Sequence, residues 1–274
     1  MQRAHLPLLF LFLPIVVGCD DTKKPPIQTG KRTGDAPKSP EPSVDDTAAI
    51  SKEDRAIAVQ RLVAAIDAHG QRYGKLKTSK QTMKGLVQSM PTEHELYVDL
   101  PGSARLNGKM TTPMGLREFS LCTHNNTGWR SLPPDVVDMP ANELEDFQNE
   151  LHYQWVATLR PLAIGDFGLR PLPETKFRDR AMLGIRVTRK DRRPVSLWFD
   201  KETNMLARMY SNAREAGIDF HRETYYSKHQ PFEDVKLPTH VEEYRNGAMF
   251  IEWTSIEYKF IEVLDEALFR RPKS

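Results

Sequence analysis

From Glu95 onward the chain repeats one pattern: six to ten residues alternating polar and apolar side chains, then a cluster of turn-forming residues. Glu95-Leu96-Tyr97-Val98-Asp99-Leu100 precedes Pro101-Gly102, residues 104–110 and 116–123 follow, and Asn125-Asn126-Thr127-Gly128 supplies a turn before residues 129–132. Successive side chains of a strand point to opposite faces, so each such run predicts a half-buried strand. The second half continues with Leu183, Ile185 and Val187, then Val195, Leu197 and Phe199. Residues 205–210, 219–227, 237–244 and 248–260 follow, the last two joined by Arg245-Asn246-Gly247 as a tight hairpin. Connections this short predict antiparallel neighbours, and the number of strands predicts a highly curved sheet.

Two stretches have helical spacing instead. Ser51 followed by Asp54 forms a capping-box-like start, after which Val59, Leu62, Val63 and Ile66 recur every three or four residues up to Gly70. Leu144, Phe147, Leu151, Trp155 and Leu159 define a second stripe over residues 141–162, where Pro161 ends or kinks the helix. The expected class is α+β: a strongly curved antiparallel sheet with two helices, the second a candidate to cover a sheet face or close over a groove.

The N-terminus predicts an address. Arg3 precedes an apolar run over residues 6–17, interrupted by Pro7 and Pro14 and too short for the ~20 residues of a spanning helix. Val16-Val17-Gly18-Cys19 resembles a bacterial lipobox, in which Cys19 is lipidated and becomes the mature N-terminus. Residues 1–18 are thus expected to be a lipoprotein signal peptide. Residues 19–50, rich in Pro, Lys, Asp, Thr and Ser, are expected to form a disordered tether, and residues 51–274 one folded domain. The protein is expected to be lipid-anchored through Cys19, facing the periplasm, and monomeric; which membrane holds it stays open. Cys122 is then without an intramolecular partner and reads as a small buried residue.

Catalytic and metal signatures are missing from the sequence. His69, His94, His124, His152, His221, His229 and His240 are scattered, with no HExxH, GxSxG elbow, P-loop or dinucleotide fingerprint. Glu242 and Glu243 adjoin on one strand and point to opposite faces. A formal net charge of +2 supplies no global field for nucleic acid. No cofactor, metal or nucleic-acid partner is expected, and no enzymatic activity.

In the last strand, strict alternation places Phe250, Ile256, Tyr258 and Phe260 on one face and Ile251 and Trp253 on the other, so both faces want burial. Met182, Met205, Met209 and Met249 offer adaptable apolar surface. Trp198 reads either as partly exposed or as packed beneath the second helix. Arg186, Arg189, Lys190, Arg192 and Arg193 read as a solvated connection, or as a contact for phospholipid headgroups or a partner.

Several segments in order resemble the bacterial lipoprotein-carrier superfamily, LolA/LolB-like, over roughly residues 55–272. They are ELYVDLP from Glu95, Gly128-Trp129, residues 157–162, VSLWFDKETNML from Val195, residues 223–226, residues 236–239 and the closing Leu268-Phe269-Arg270-Arg271-Pro272. The resemblance implies that the curved antiparallel sheet forms an incomplete β-barrel, a half-barrel around an apolar cavity, covered or lidded by two or more helices and able to hold acyl chains. The function it implies is non-catalytic binding of a hydrophobic ligand, either lipid or the acyl chains of a lipoprotein. Leu183, Ile185, Val187, Leu197, Phe199, Met209, Phe250, Ile256 and Tyr258 are the candidates to line that cavity. A cavity-closing arginine belongs to the pattern, and Arg61, Arg72, Arg105 and Arg117 are all available for it. The alternatives are an envelope protein-interaction or stress-sensing module on the same sheet and, third, an uncharacterised hydrolase.

Overall fold

The computed structural model describes residues 44–70, 72–73, 77–215 and 217–272. The expected signal peptide (residues 1–18), Cys19 and most of the expected tether (residues 19–50) lie outside them. The elements in chain order are α1 (Lys52–His69), β1 (Thr78–Val87), β2 (Met90–Asp99), β3 (Ser103–Thr112), β4 (Gly115–His124), β5 (Thr127–Leu132) and β6 (Asp135–Asp138). Then come α2 (Ala141–Ala157), α3 (Arg160–Ile164), β7 (Gly168–Phe177), β8 (Arg180–Arg189), β9 (Arg192–Asp200), β10 (Leu206–Glu215), β11 (Ile218–Phe232), β12 (Val235–Arg245) and β13 (Ala248–Phe260). A 3-10 turn, Glu266–Phe269, follows.

All thirteen strands form one antiparallel sheet in the order β6-β5-β4-β3-β2-β1-β13-β12-β11-β10-β9-β8-β7. The sheet is open: β6 and β7 are its edges. Proline blunts β7, where Pro171 and Pro173 cannot donate to a further strand, and Arg271 donates to Val136 O (2.8 Å) on β6. The three α-helices share the inner face, where two apolar clusters lie side by side. One gathers Ala58, Leu62 and Ala65 of α1 with Ile185, Val187, Leu197, Phe199 and Met209. The other gathers Phe147 and Leu151 of α2 with Met83, Val87, Leu96, Ile251, Trp253 and Ile256.

Several expectations need correction. The sequence pattern missed β1, β6 and β7, and the folded unit begins before Ser51. Asp46 receives two hydrogen bonds from Arg186 (2.9 and 2.6 Å), and Arg170 donates to the carbonyls of Asp45 and Ala48. Ser51 does cap α1, accepting from Asp54 N at 3.0 Å. However, α1 buries Ala58, Leu62, Ala65 and His69 and leaves Val59 and Val63 exposed. Small alanines let the helix approach the sheet closely, which the branched valines would prevent. The second helix stops before Pro161: the chain turns at Leu159 (φ 62°), and Pro161 opens α3, where a missing N–H does no harm. Trp198 is neither exposed nor under a helix. It is 1% exposed in an outer-face cluster with Phe177, Met182, Tyr225 and Tyr244.

Strict alternation fails in β13. Its register against β1 pairs Ser255 with Lys84 but Trp253 with Gly85, leaving Thr254 as an extra residue. A bulge shifts the side-chain phase by one. Ile251 and Trp253 therefore join Ile256 on the inner face, instead of opposing it. A Cβ at Gly85 would strike the Glu252 carbonyl, so the bulge requires glycine. Gly85→Ala is expected to destabilise the fold by about 2 kcal/mol or more, measured by urea denaturation, and more than Gly102→Ala, where a Cβ meets open space.

Candidate functional site

On the inner face the α-helices and the sheet enclose two apolar clusters, and α2 contributes side chains to both. Phe147 and Leu151 enter one cluster, Tyr153 and Val156 the other, and Trp155 packs against both. Of the expected lining residues, Ile185, Val187, Leu197, Phe199 and Met209 come together in the α1 cluster. Ile256 lies in the second cluster, Tyr258 touches both, Phe250 borders the second, and Leu183 is half-buried opposite Phe199. Side chains of the chain itself fill the space between them, with Leu151 and Leu159 fully buried.

Polar contacts along α2 come largely from arginines on the sheet. Arg130 of β5 donates to Glu143 (2.6 Å), and Arg192 of β9 to Asn149 (2.5 Å). Arg222 of β11 binds Glu150 and lies 4.5 Å from the Tyr153 ring centre; Arg189 of β8 sits 5.5 Å from that of Trp155 and 5.3 Å from that of Phe167. Burial pulls the Arg222 guanidinium downward, but Glu150 and Glu243 outweigh it and hold the group above its usual range. Burial also raises Glu143 against the opposing charge of Arg130.

None of the four arginines considered for closure makes such a contact. Arg61 donates to the carbonyls of Leu172 and Gly184, Arg72 pairs with Glu233 and Asp234, Arg105 donates to Leu268 O, and Arg117 is exposed. The basic cluster at β8–β9 is largely engaged within the chain: Arg186 on Asp46, Arg189 on Trp155, Arg192 on Asn149 and Arg193 on Asp219. A pairing of Arg222 with Glu150, 72 positions apart, leaves no local signal to find.

Three histidines, His69, His94 and His152, are buried, and a fourth, His229, is half-buried. His69 accepts from Leu206 N (3.0 Å) through Nε2, so Nδ1 carries the proton and donates to Lys236 O (2.8 Å), tying the end of α1 to β10 and β12. His94 packs against Phe119 and Trp253, and its Nε2 has no hydrogen-bond partner among the described residues. Burial lowers His69, His94, His152 and His229 to about 4 each. Among the described residues no group of three His, Cys, Asp or Glu is placed to hold a metal ion. Cys122, 1% exposed, donates to Phe269 O (3.3 Å), and burial raises its thiol to about 12.

The histidines fix a pH dependence. An unfolded histidine takes up a proton below about 6.5 while the folded one resists until about 4, so the stability is fully present above 6.5 and is lost as pH falls through that window. Urea midpoints are expected to drop between pH 6.5 and 4, each histidine contributing on the order of 1 kcal/mol per pH unit. His94→Phe should make that loss shallower; an unchanged slope would show that His94 titrates normally.

No protein-family model and no curated protein sequence matches the chain. Among the described residues, no helix is long and apolar enough to cross a membrane. Solved structures do resemble it. A LolA superfamily protein from Nitrosomonas europaea is 12% identical over 78% of this chain and 97% of that one, with a TM-score of 0.47. A domain assigned to outer membrane lipoprotein sorting from Vibrio parahaemolyticus is 13% identical over 77% and 97%, with a TM-score of 0.46. The Pseudomonas aeruginosa MucA/MucB complex matches at 14% identity over 77% of this chain and 60% of that one, with a TM-score of 0.25.

Proposed function

We propose that this chain is an exported lipoprotein, anchored through Cys19, that holds a hydrophobic ligand between the inner sheet face and a movable α2–α3 cover, without covalent chemistry. The observation that carries it is the placement of α2: one helix, lacking a side-chain N-cap and ending at a left-handed leucine, bridges two apolar clusters. Magnitudes agree with an exchange. Phe147, Leu151 and Val156 each contribute roughly 1.5–3 kcal/mol when buried, and an acyl chain gains roughly 0.8 kcal/mol per methylene. A chain of about ten methylenes offsets their exposure. Ligand uptake and cover opening are then one step, and release is the return of α2.

The filled interior favours a second use of the same surface: a docking platform for another envelope protein, with α2 fixed. Titration of the purified chain with 1-dodecanol, followed by Trp fluorescence and native mass spectrometry, separates the two. Saturable 1:1 uptake is expected, and no uptake at submicellar concentration would leave the platform. Arg189→Gln combined with Arg192→Gln removes two holds on α2 and is expected to accelerate both dodecanol uptake and hydrogen exchange in residues 141–157 several-fold.

A further inference from the structure

Arg222 of β11 and Arg245 of β12 are direct cross-strand partners, on the face that carries the apolar clusters. Like charges opposite one another destabilise a sheet, and buried guanidinium groups need anionic compensation. Arg245 has it from the sheet: Nη1 reaches Glu215 (2.5 Å), Nε reaches Glu243 (2.9 Å), and the guanidinium lies 3.6 Å from the Phe250 ring centre and 4.6 Å from that of Phe220. Arg222, 2% exposed, depends on the cover. Its Nη1 binds Glu150 of α2, its Nε donates to Ser211 Oγ at 3.4 Å, and its Nη2 has no hydrogen-bond partner among the described residues.

We propose that Glu150 holds the seat of a ligand's anionic head, and that Arg222 is the residue that selects acyl ligands carrying a carboxylate or phosphate over neutral ones. This rests on the opening of α2 proposed above. When the cover lifts, Glu150 leaves with it, and a buried guanidinium with free donors remains. A neutral ligand leaves that charge only the nearby Glu243 carboxylate of β12, which already accepts from Arg245. An anionic head restores a charge-assisted pair, and Nη2 offers it a donor that Glu150 does not use. The acyl chain has apolar wall nearby on both sides: Arg222 lies over Tyr153 of one cluster, and Arg245 lies over Phe250, which borders the other.

Isothermal titration calorimetry of the full chain with laurate, 1-dodecanol, acetate and inorganic phosphate tests this. Laurate is expected to bind at least tenfold more tightly than dodecanol, and acetate and phosphate at least a hundredfold more weakly than laurate. Arg222→Gln should abolish the preference by weakening laurate while leaving dodecanol bound. Glu150→Gln frees Arg222 and should tighten laurate at least fivefold. Equal affinities for laurate and dodecanol would overturn the selection and leave acyl binding standing, whereas binding of neither would overturn both. Acetate or phosphate binding as tightly as laurate would reassign Arg222 to a free anion and overturn the lipid source. Should Arg222→Gln fail to fold, Glu150→Gln decides, and an unchanged laurate affinity overturns the proposal.

Discussion

Pairing of β1 with β13 joins residues near 80 to residues near 258, and the rest of the sheet hangs on that seam. On one side β2 to β6 follow β1 as a meander of short hairpins; on the other, β12 back to β7 follow β13 in the same way. Each meander is local in sequence, but their union closes a loop of about 170 residues, a contact that must be made against a large chain entropy. The apolar cluster under Phe147 and Leu151 spans the seam, taking Met83 and Val87 from one side and Ile251, Trp253 and Ile256 from the other. Without the Thr254 bulge, Ile251 and Trp253 would face away from Ile256, and the two sides would share much less surface.

Most strands were legible because hairpins leave both signals in a short window: alternation within the strand and turn chemistry at its end. β1 lacked the first. Its sequence TSKQTMKGLV buries only Ser79, Met83 and Val87, so a strand central to the sheet has few large apolar side chains of its own. β7 lacked it for another reason: prolines that protect an edge read locally as a loop. The helices were legible as elements and less so as faces. Val59 and Val63 match the helical period as well as Leu62 does, and only the closeness of the sheet selects Ala58 and Ala65 instead.

The candidate site divides along the same line. On β8 and β9 the alternation among Ile185, Val187, Leu197 and Phe199 runs without a bulge, so these four share the inner face as the period predicts. On β13 Ile256 and Tyr258 also reach the apolar clusters, whereas Ile251 and Trp253, expected on the opposite face, join them because the inserted Thr254 shifts the phase. The arginines that touch α2 were invisible because their meaning is pairwise. Arg192 meets Asn149 over 43 positions, and Arg222 meets Glu150 over 72, so neither partner announces the other.

Apolar burial and arginine contacts hold α2 in different ways. Hydrophobic contact is non-directional and proportional to area, so it keeps the helix down but tolerates sliding and rotation. The polar contacts at Glu143, Asn149 and Glu150 fix points along one helix to three different strands, and they set its register. Their net energies are modest, because each pair gives up hydration to form. In the proposed exchange, an apolar surface that persists through a change of partners, combined with weak directional contacts that break individually, would return α2 to one position. The Arg222–Glu150 pair differs from the Arg130–Glu143 pair in its cation: the Arg222 side chain is 3% exposed against 18% for Arg130, while Glu150 is the more exposed carboxylate. Desolvation of the guanidinium makes that contact the one most dependent on its carboxylate partner.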